Sequence, residues 1–143
     1  MIRRLAAVVL AAHGVAHVVG FVAAFQLGDF AARTVETSLL WGRLDVSTTV
    51  IQVMGIGWLF LAIGFMAVAV ALWRSMRHAI SGLALATMVS LGFTVLASPT
   101  AIVGLGLNIV IVVGLIAYEL RLRPAAERGR PPTLMSGPTS QIR

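Results

Sequence analysis

Four long apolar stretches, parted by short polar breaks, dominate the chain. They run over about 5–25, 49–73, 79–97 and 101–120. Each is close to the roughly 20 residues that a helix needs to cross about 30 Å of hydrocarbon. None contains Asp, Glu, Lys or Arg, apart from Glu119 at the end of the fourth. The links Arg74–His78 and Ser98-Pro99-Thr100 are short, and short links make consecutive helices antiparallel neighbours. The pattern predicts an all-α polytopic membrane protein. Residues 1–123 form a four-transmembrane-helix up-down bundle. The connection over 26–48 is the exception in length, and it carries Phe30, Leu39, Leu40 and Trp41. A loop of that length and composition is expected to cap the bundle or lie on the membrane surface. The segment 124–143 holds Gly129, Pro131-Pro132, Gly137 and Pro138 and is expected to be a disordered tail.

Charge then sets the direction. Arg3 and Arg4 precede the first span, Arg74 and Arg77 lie between the second and third, and Arg121, Arg123, Arg128, Arg130 and Arg143 follow the fourth. Only Arg33 and Arg43 lie in the long loop, beside Asp29, Glu36 and Asp45. Basic loops stay in the cytoplasm. Both termini are therefore expected on the cytoplasmic side of a bacterial inner membrane, with 26–48 facing outward. The start, two arginines and an apolar run, has the outline of a signal peptide. Its run is too long for the apolar region of one, and it is taken as a retained first span. The net charge of +6 is a topology signal that need not involve nucleic acid. Composition agrees: 59% of residues are hydrophobic and 11% charged, and the mean hydropathy is +0.96. A soluble domain carries about 25% charged residues. With no cysteine, a disulfide framework, a thiolate metal centre and a thiol nucleophile are excluded.

Polar side chains inside hydrocarbon are costly, which makes each a candidate for function. His13 and His17 stand four residues apart on the first span, about 40° apart around the helix. Two imidazoles on one face cannot be the opposite axial ligands of one haem. A shared metal ion needs further ligands, and the spans offer no cysteine or embedded carboxylate to complete it. Three roles are weighed for the pair: hydrogen bonds to neighbouring helices, handling of a ligand or proton, and, least favoured for want of further ligands, a metal or haem role. Thr87, Ser90 and Thr94 cluster on one side of the third span, where hydroxyls commonly bond to their own backbone or a packed neighbour. Asn108 shares a face with Ala101 and Gly104, small residues that let another helix approach its amide. Gln52 follows Thr49 by three, a capping-box spacing.

Depth ties these residues together. Allowing for the alternating direction of the spans, His17, Gln52, Ser90, Thr94 and Asn108 fall in the outer half, with His13 near the midplane and Trp58 close by. The inner half has almost no polar side chain. The asymmetry suggests an outward-facing polar cavity between the helices, a usual place for a ligand in a bundle. The expected ligand-binding set is His13, His17, Gln52, Trp58, Ser90, Thr94 and Asn108.

Ala12-His13-Gly14 followed by Gly20-Phe21 resembles the first helix of DoxX-like membrane proteins, as do the size and the four-span layout. That resemblance implies a membrane accessory or redox-associated subunit, sometimes linked to quinone chemistry. The glutamate of the family's second-span motif has no counterpart in Gly55-Ile56-Gly57-Trp58-Leu59-Phe60. Three functions are weighed. The first is a small accessory or ligand-binding membrane protein for a lipid-soluble molecule such as a quinone or lipid. The second is a membrane-embedded isomerase or hydrolase of an apolar substrate using His13 or His17 as acid or base. The third is a small transporter, for which an embedded carboxylate is lacking. The lipid bilayer is the expected partner, and a homodimer is slightly favoured because it would bury more of the glycine-bearing faces.

Overall fold

The computed structural model describes residues 2–27 and 38–128. Its frame is four helices: α1 (Ile2–Ala24), α2 (Thr48–Trp73), α3 (Ala79–Leu96) and α4 (Ile102–Arg128). Three apolar stretches, Arg3–Ala24, Thr48–Trp73 and Ala79–Leu96, are long and apolar enough to cross a membrane. The apolar part of α4, Ile102–Tyr118, is shorter. The helix itself continues past the expected end of the fourth span, through Pro124 to Arg128. The stretches 28–37 and 129–143, which hold Arg33 and most of the expected tail, lie outside the described residues.

Each helix packs antiparallel to the next. Arg4 Cζ lies 5.4 Å from the Trp73 ring centroid, so the start of α1 sits beside the end of α2. Further along, α1 and α2 touch at glycines. A Cβ on Gly14 would stand 3.1 Å from both Ala62 O and Phe65 Cβ, and one on Gly20 would stand 2.7 Å from Trp58 Cγ. Glycine is what lets the two backbones come this close. The α3–α4 contact is also tight, with Gly104 against the Thr94 methyl.

The interior has two layers. Near the arginine-bearing end it is apolar, built from Ala7, Leu10, Phe65, Val68, Ala69, Leu72, Ala79 and Leu83. Toward the other end it is polar, and His13, His17, Thr87, Ser90, Thr94 and Asn108 are all buried. The outside is the reverse: Phe60 is 70% and Val103 83% exposed. A helix set that is apolar outward and polar inward matches a hydrocarbon solvent, because water gives no reason to hide the polar groups.

The described part of the long connection contains a feature absent from the all-α expectation. Ser38–Leu39 (β1) and Leu44–Asp45 (β2) pair antiparallel, Ser38 opposite Asp45 and Leu39 opposite Leu44. The turn takes Leu40, Trp41 and Gly42 through positive φ values of 51°, 61° and 76°. Two of these are not glycine, and such positions persist only where their surroundings hold them. The hold is visible: Leu40 N–H donates to Leu96 O at 3.0 Å and Trp41 N–H to Ser98 O at 2.9 Å. These carbonyls belong to the last turn of α3 and to the link beyond it, where a helix leaves acceptors unpaired. The hairpin thus caps one end of the bundle. The start of α2 also differs from the expected capping box. Its N-cap is Ser47, whose hydroxyl accepts from Val50 N–H. Gln52 lies too far into the helix to reach back to the cap.

Candidate functional site: a buried histidine–asparagine–serine layer

His13 and His17 reach the interior because four residues return the helix to nearly the same face. Opposite them, Ser90 and Thr94 repeat that spacing on α3, and Asn108 descends on α4. Five side chains from three helices make one connected network. His13 Nε2 lies 3.2 Å from Asn108 Oδ1. His17 Nε2 lies 2.9 Å from Ser90 Oγ. Asn108 Nδ2 donates to Ser90 Oγ at 2.8 Å and to Thr94 Oγ1 at 3.4 Å. Thr94 in turn donates to Ser90 O and Leu91 O, both at 3.0 Å. Thr87 donates to Leu83 O on its own helix, and Ser98, in the link beyond α3, donates back to Thr94 O. Among the described residues, no fully buried side-chain nitrogen or oxygen lacks a partner. In hydrocarbon this completeness matters, since an unmet group has no water to turn to.

The second helix contributes aromatic walls. The two imidazole centroids are 4.6 Å apart, with rings inclined at 63°. Phe65 stands edge-on to both, at 4.6 Å from His13 and 5.3 Å from His17. Trp58 lies 5.1 Å from His17, and Phe93 flanks Trp58 at 5.5 Å. Trp58 is held in place from behind by Gly20, on which its indole rests.

Of the seven residues expected to bind a ligand, His13, His17, Ser90, Thr94 and Asn108 are hydrogen-bonded to one another and Trp58 touches the group. Gln52 is half-buried near the start of α2 and stands outside the network. Sequence reasoning missed Phe65. It is wholly buried, yet in an apolar span nothing marks one phenylalanine from its neighbours. Its spacing of seven from Trp58, two helical turns, is the available signal. The polar layer is almost wholly buried, with His13 3% and His17 5% exposed. Two open grooves lie elsewhere. One of about 400 Å³, lined by Gly57, Phe60, Gly64, Gly82, Leu85 and Phe93 among others, runs between α2 and α3. A second of about 400 Å³ lies beside the hairpin at Leu40, Trp41, Arg43 and Val95. Among the described residues no three His, Cys, Asp or Glu come together.

No protein-family model, curated protein or solved structure matches the chain.

Proposed function

We propose that this is a small integral membrane protein of the bacterial inner membrane that binds a lipid-soluble molecule, such as a quinone or lipid, at the layer of His13, His17, Ser90, Thr94 and Asn108. In this reading all four helices span, both termini are cytoplasmic, and the hairpin end faces outward. The observation that carries it is the concentration of five hydrogen-bonded polar side chains, two of them imidazoles, in one layer of helices that are mostly apolar elsewhere. Ionisable groups at such depth are costly and mark functional sites more often than packing alone requires. Trp58 and Phe65 supply apolar walls of the kind that a ligand of low polarity needs. An accessory-subunit role agrees with the resemblance of the first span to DoxX-like proteins.

The test is mass spectrometry of small molecules that copurify with the protein in mild detergent. The wild-type protein should retain a defined lipid-soluble compound, and folded His13→Leu and His17→Leu variants should lose it. Equal occupancy in both variants would remove the histidines from the site.

A second reading rests on the Ser90–His17 bond. A hydroxyl 2.9 Å from an imidazole is a nucleophile–base arrangement, as a membrane-embedded hydrolase would use. Ser90 is completely buried, which ranks this second. Modification of Ser90 by a lipophilic fluorophosphonate, abolished in Ser90→Ala, would reverse the order.

A further inference from the structure

The polar layer has a direction, and it can be followed hydrogen by hydrogen. Thr94 Oγ1 lies 3.0 Å from the carbonyls of Ser90 and Leu91. Carbonyls only accept, so the threonine hydrogen is committed there and Oγ1 can only accept from Asn108. The Asn108 atom facing Thr94 is therefore its Nδ2, as is the atom facing Ser90, and Oδ1 faces His13. An amide oxygen accepts, so His13 Nε2 is the donor and His13 Nδ1 carries the lone pair. Ser90 Oγ already accepts from Asn108. Its own hydrogen, wholly buried, must be satisfied, and the acceptor beside it is His17 Nε2. A ring whose Nε2 accepts holds its hydrogen on Nδ1. The network thus sets the two histidines in opposite tautomers.

The Nδ1 atoms are what the network leaves over. Among the described residues neither has a hydrogen-bond partner, although His13 is only 3% and His17 only 5% exposed. No fully sealed side-chain atom lacks a partner, so both Nδ1 edges retain some access. One presents an acceptor and the other a donor, on rings 4.6 Å apart.

We propose that the His13–His17 pair recognises the hydroxyl group of a lipid-soluble alcohol or phenol, a proposal that rests on the ligand-binding reading above. The hydroxyl donates its hydrogen to His13 Nδ1, and its oxygen accepts from His17 Nδ1–H. A carbonyl or ether oxygen only accepts, so it pairs with His17 and leaves the His13 lone pair unmet. The site accordingly prefers a quinol to the corresponding quinone. Trp58 and Phe65 border the rings and suit an aromatic body.

The test uses the full chain in mild detergent, in a Trp41→Phe/Trp73→Phe background where Trp58 alone fluoresces. The probes are para-hexylphenol and its methyl ether, at equal mole fraction in the micelle. The phenol should perturb Trp58 with an affinity roughly ten-fold or more above the ether, because rejecting a hydroxyl-lacking analogue follows from leaving a buried group unpaired. His13→Leu should erase that preference. Solid-state NMR of nitrogen-labelled histidine should show one ring protonated at Nδ1 and its neighbour at Nε2. Equal binding of phenol and ether would overturn the hydroxyl rule and leave the ligand site standing. Binding of neither probe would overturn the ligand site and this proposal with it. Identical tautomers in both rings would overturn the polarity on which it is built.

Discussion

Asn108 is the residue on which the polar layer turns, because it alone bonds to α1 and α3 at once, through His13, Ser90 and Thr94. Hydrogen bonds between membrane helices average about 0.6 kcal/mol. Asn108→Leu removes three and strands His13 Nε2, so it should lower stability by about 1–2 kcal/mol in detergent-induced unfolding. His17→Leu loses one bond and should cost about 0.6 kcal/mol. An Asn108→Leu protein as stable as His17→Leu would show that the amide does not bridge the helices. The membership of this layer was largely legible in the sequence. His13, His17, Ser90, Thr94 and Asn108 stand out as polar positions in apolar spans, and antiparallel counting puts them at similar depth. Their pairing was not legible. It depends on how far each helix is rotated about its axis, and helices apolar all round carry little amphipathic signal to set that rotation. For the same reason Phe65 and Phe93 could not be told from lipid-facing phenylalanines such as Phe60. Gln52 shows the limit from the other side: it was counted with the layer by its outer position, but it stands near the start of α2, beyond the level at which Trp58 and Phe65 meet α1, and outside the network.

At the scale of elements, the α1–α2 contact is decided by glycines that do not look alike once their surroundings are known. Gly20 supports the Trp58 indole, and an added Cβ would stand 2.7 Å from Cγ, the ring atom nearest the backbone. The ring cannot swing aside easily, being flanked by His17 and Phe93. Gly64, on the same helix as Trp58, has nothing within 4 Å of the corresponding position. Gly20→Ala should therefore destabilise by about 1–3 kcal/mol, the usual range for overpacking. Gly64→Ala should be neutral or slightly stabilising, since alanine is the better helix former. Unfolding of both variants in mixed micelles checks the contrast, and equal effects would show that α1 and α2 do not meet at Gly20. The first three helices were legible from length and apolarity alone, to within a few residues, whereas α4 runs to Arg128, past the expected end near 120 and into the expected tail. The hairpin at 38–45 was not. Its strands are two residues each, too short for an alternating pattern, and its turn places Leu40 and Trp41 at positive φ where only Gly42 advertises a turn. What stabilises it is tertiary, the pair of backbone bonds to Leu96 and Ser98. Similarly, the helical continuation of α4 through Pro124 runs against the local reading of a proline as a stop.

At the scale of the molecule, burial and charge give two separate arguments about the bilayer. Burial shows the inversion: Thr87, Ser90 and Asn108 are wholly buried while Leu5, Val19 and Phe60 are exposed. That arrangement says which solvent surrounds the helices, and it is silent on which way they point. The proposed direction rests on arginine in the sequence, nine before the first span, between the second and third and after the fourth, against two in the 26–48 connection. The structure adds that Arg4 and Trp73 lie side by side, so the basic ends of α1 and α2 share one face, with a tryptophan at the level where interfacial aromatics anchor. Arg43 belongs to the hairpin at the opposite end, and both Arg43 and Arg77 are exposed. The chain has no cysteine, so a single introduced thiol is unambiguous. In spheroplasts, an impermeant maleimide should label Arg43→Cys directly and Arg77→Cys only after the membrane is permeabilised. The reverse pattern would overturn the assignment of the termini to the cytoplasm. Labelling of both without permeabilisation would mean that the link between α2 and α3 also reaches the outside, which antiparallel spanning helices forbid. Either result would put the histidine layer at the wrong depth for access from the outer leaflet. The predicted result leaves that layer nearer the hairpin end, with the apolar core of Leu10, Phe65 and Leu72 closing it from the cytoplasm.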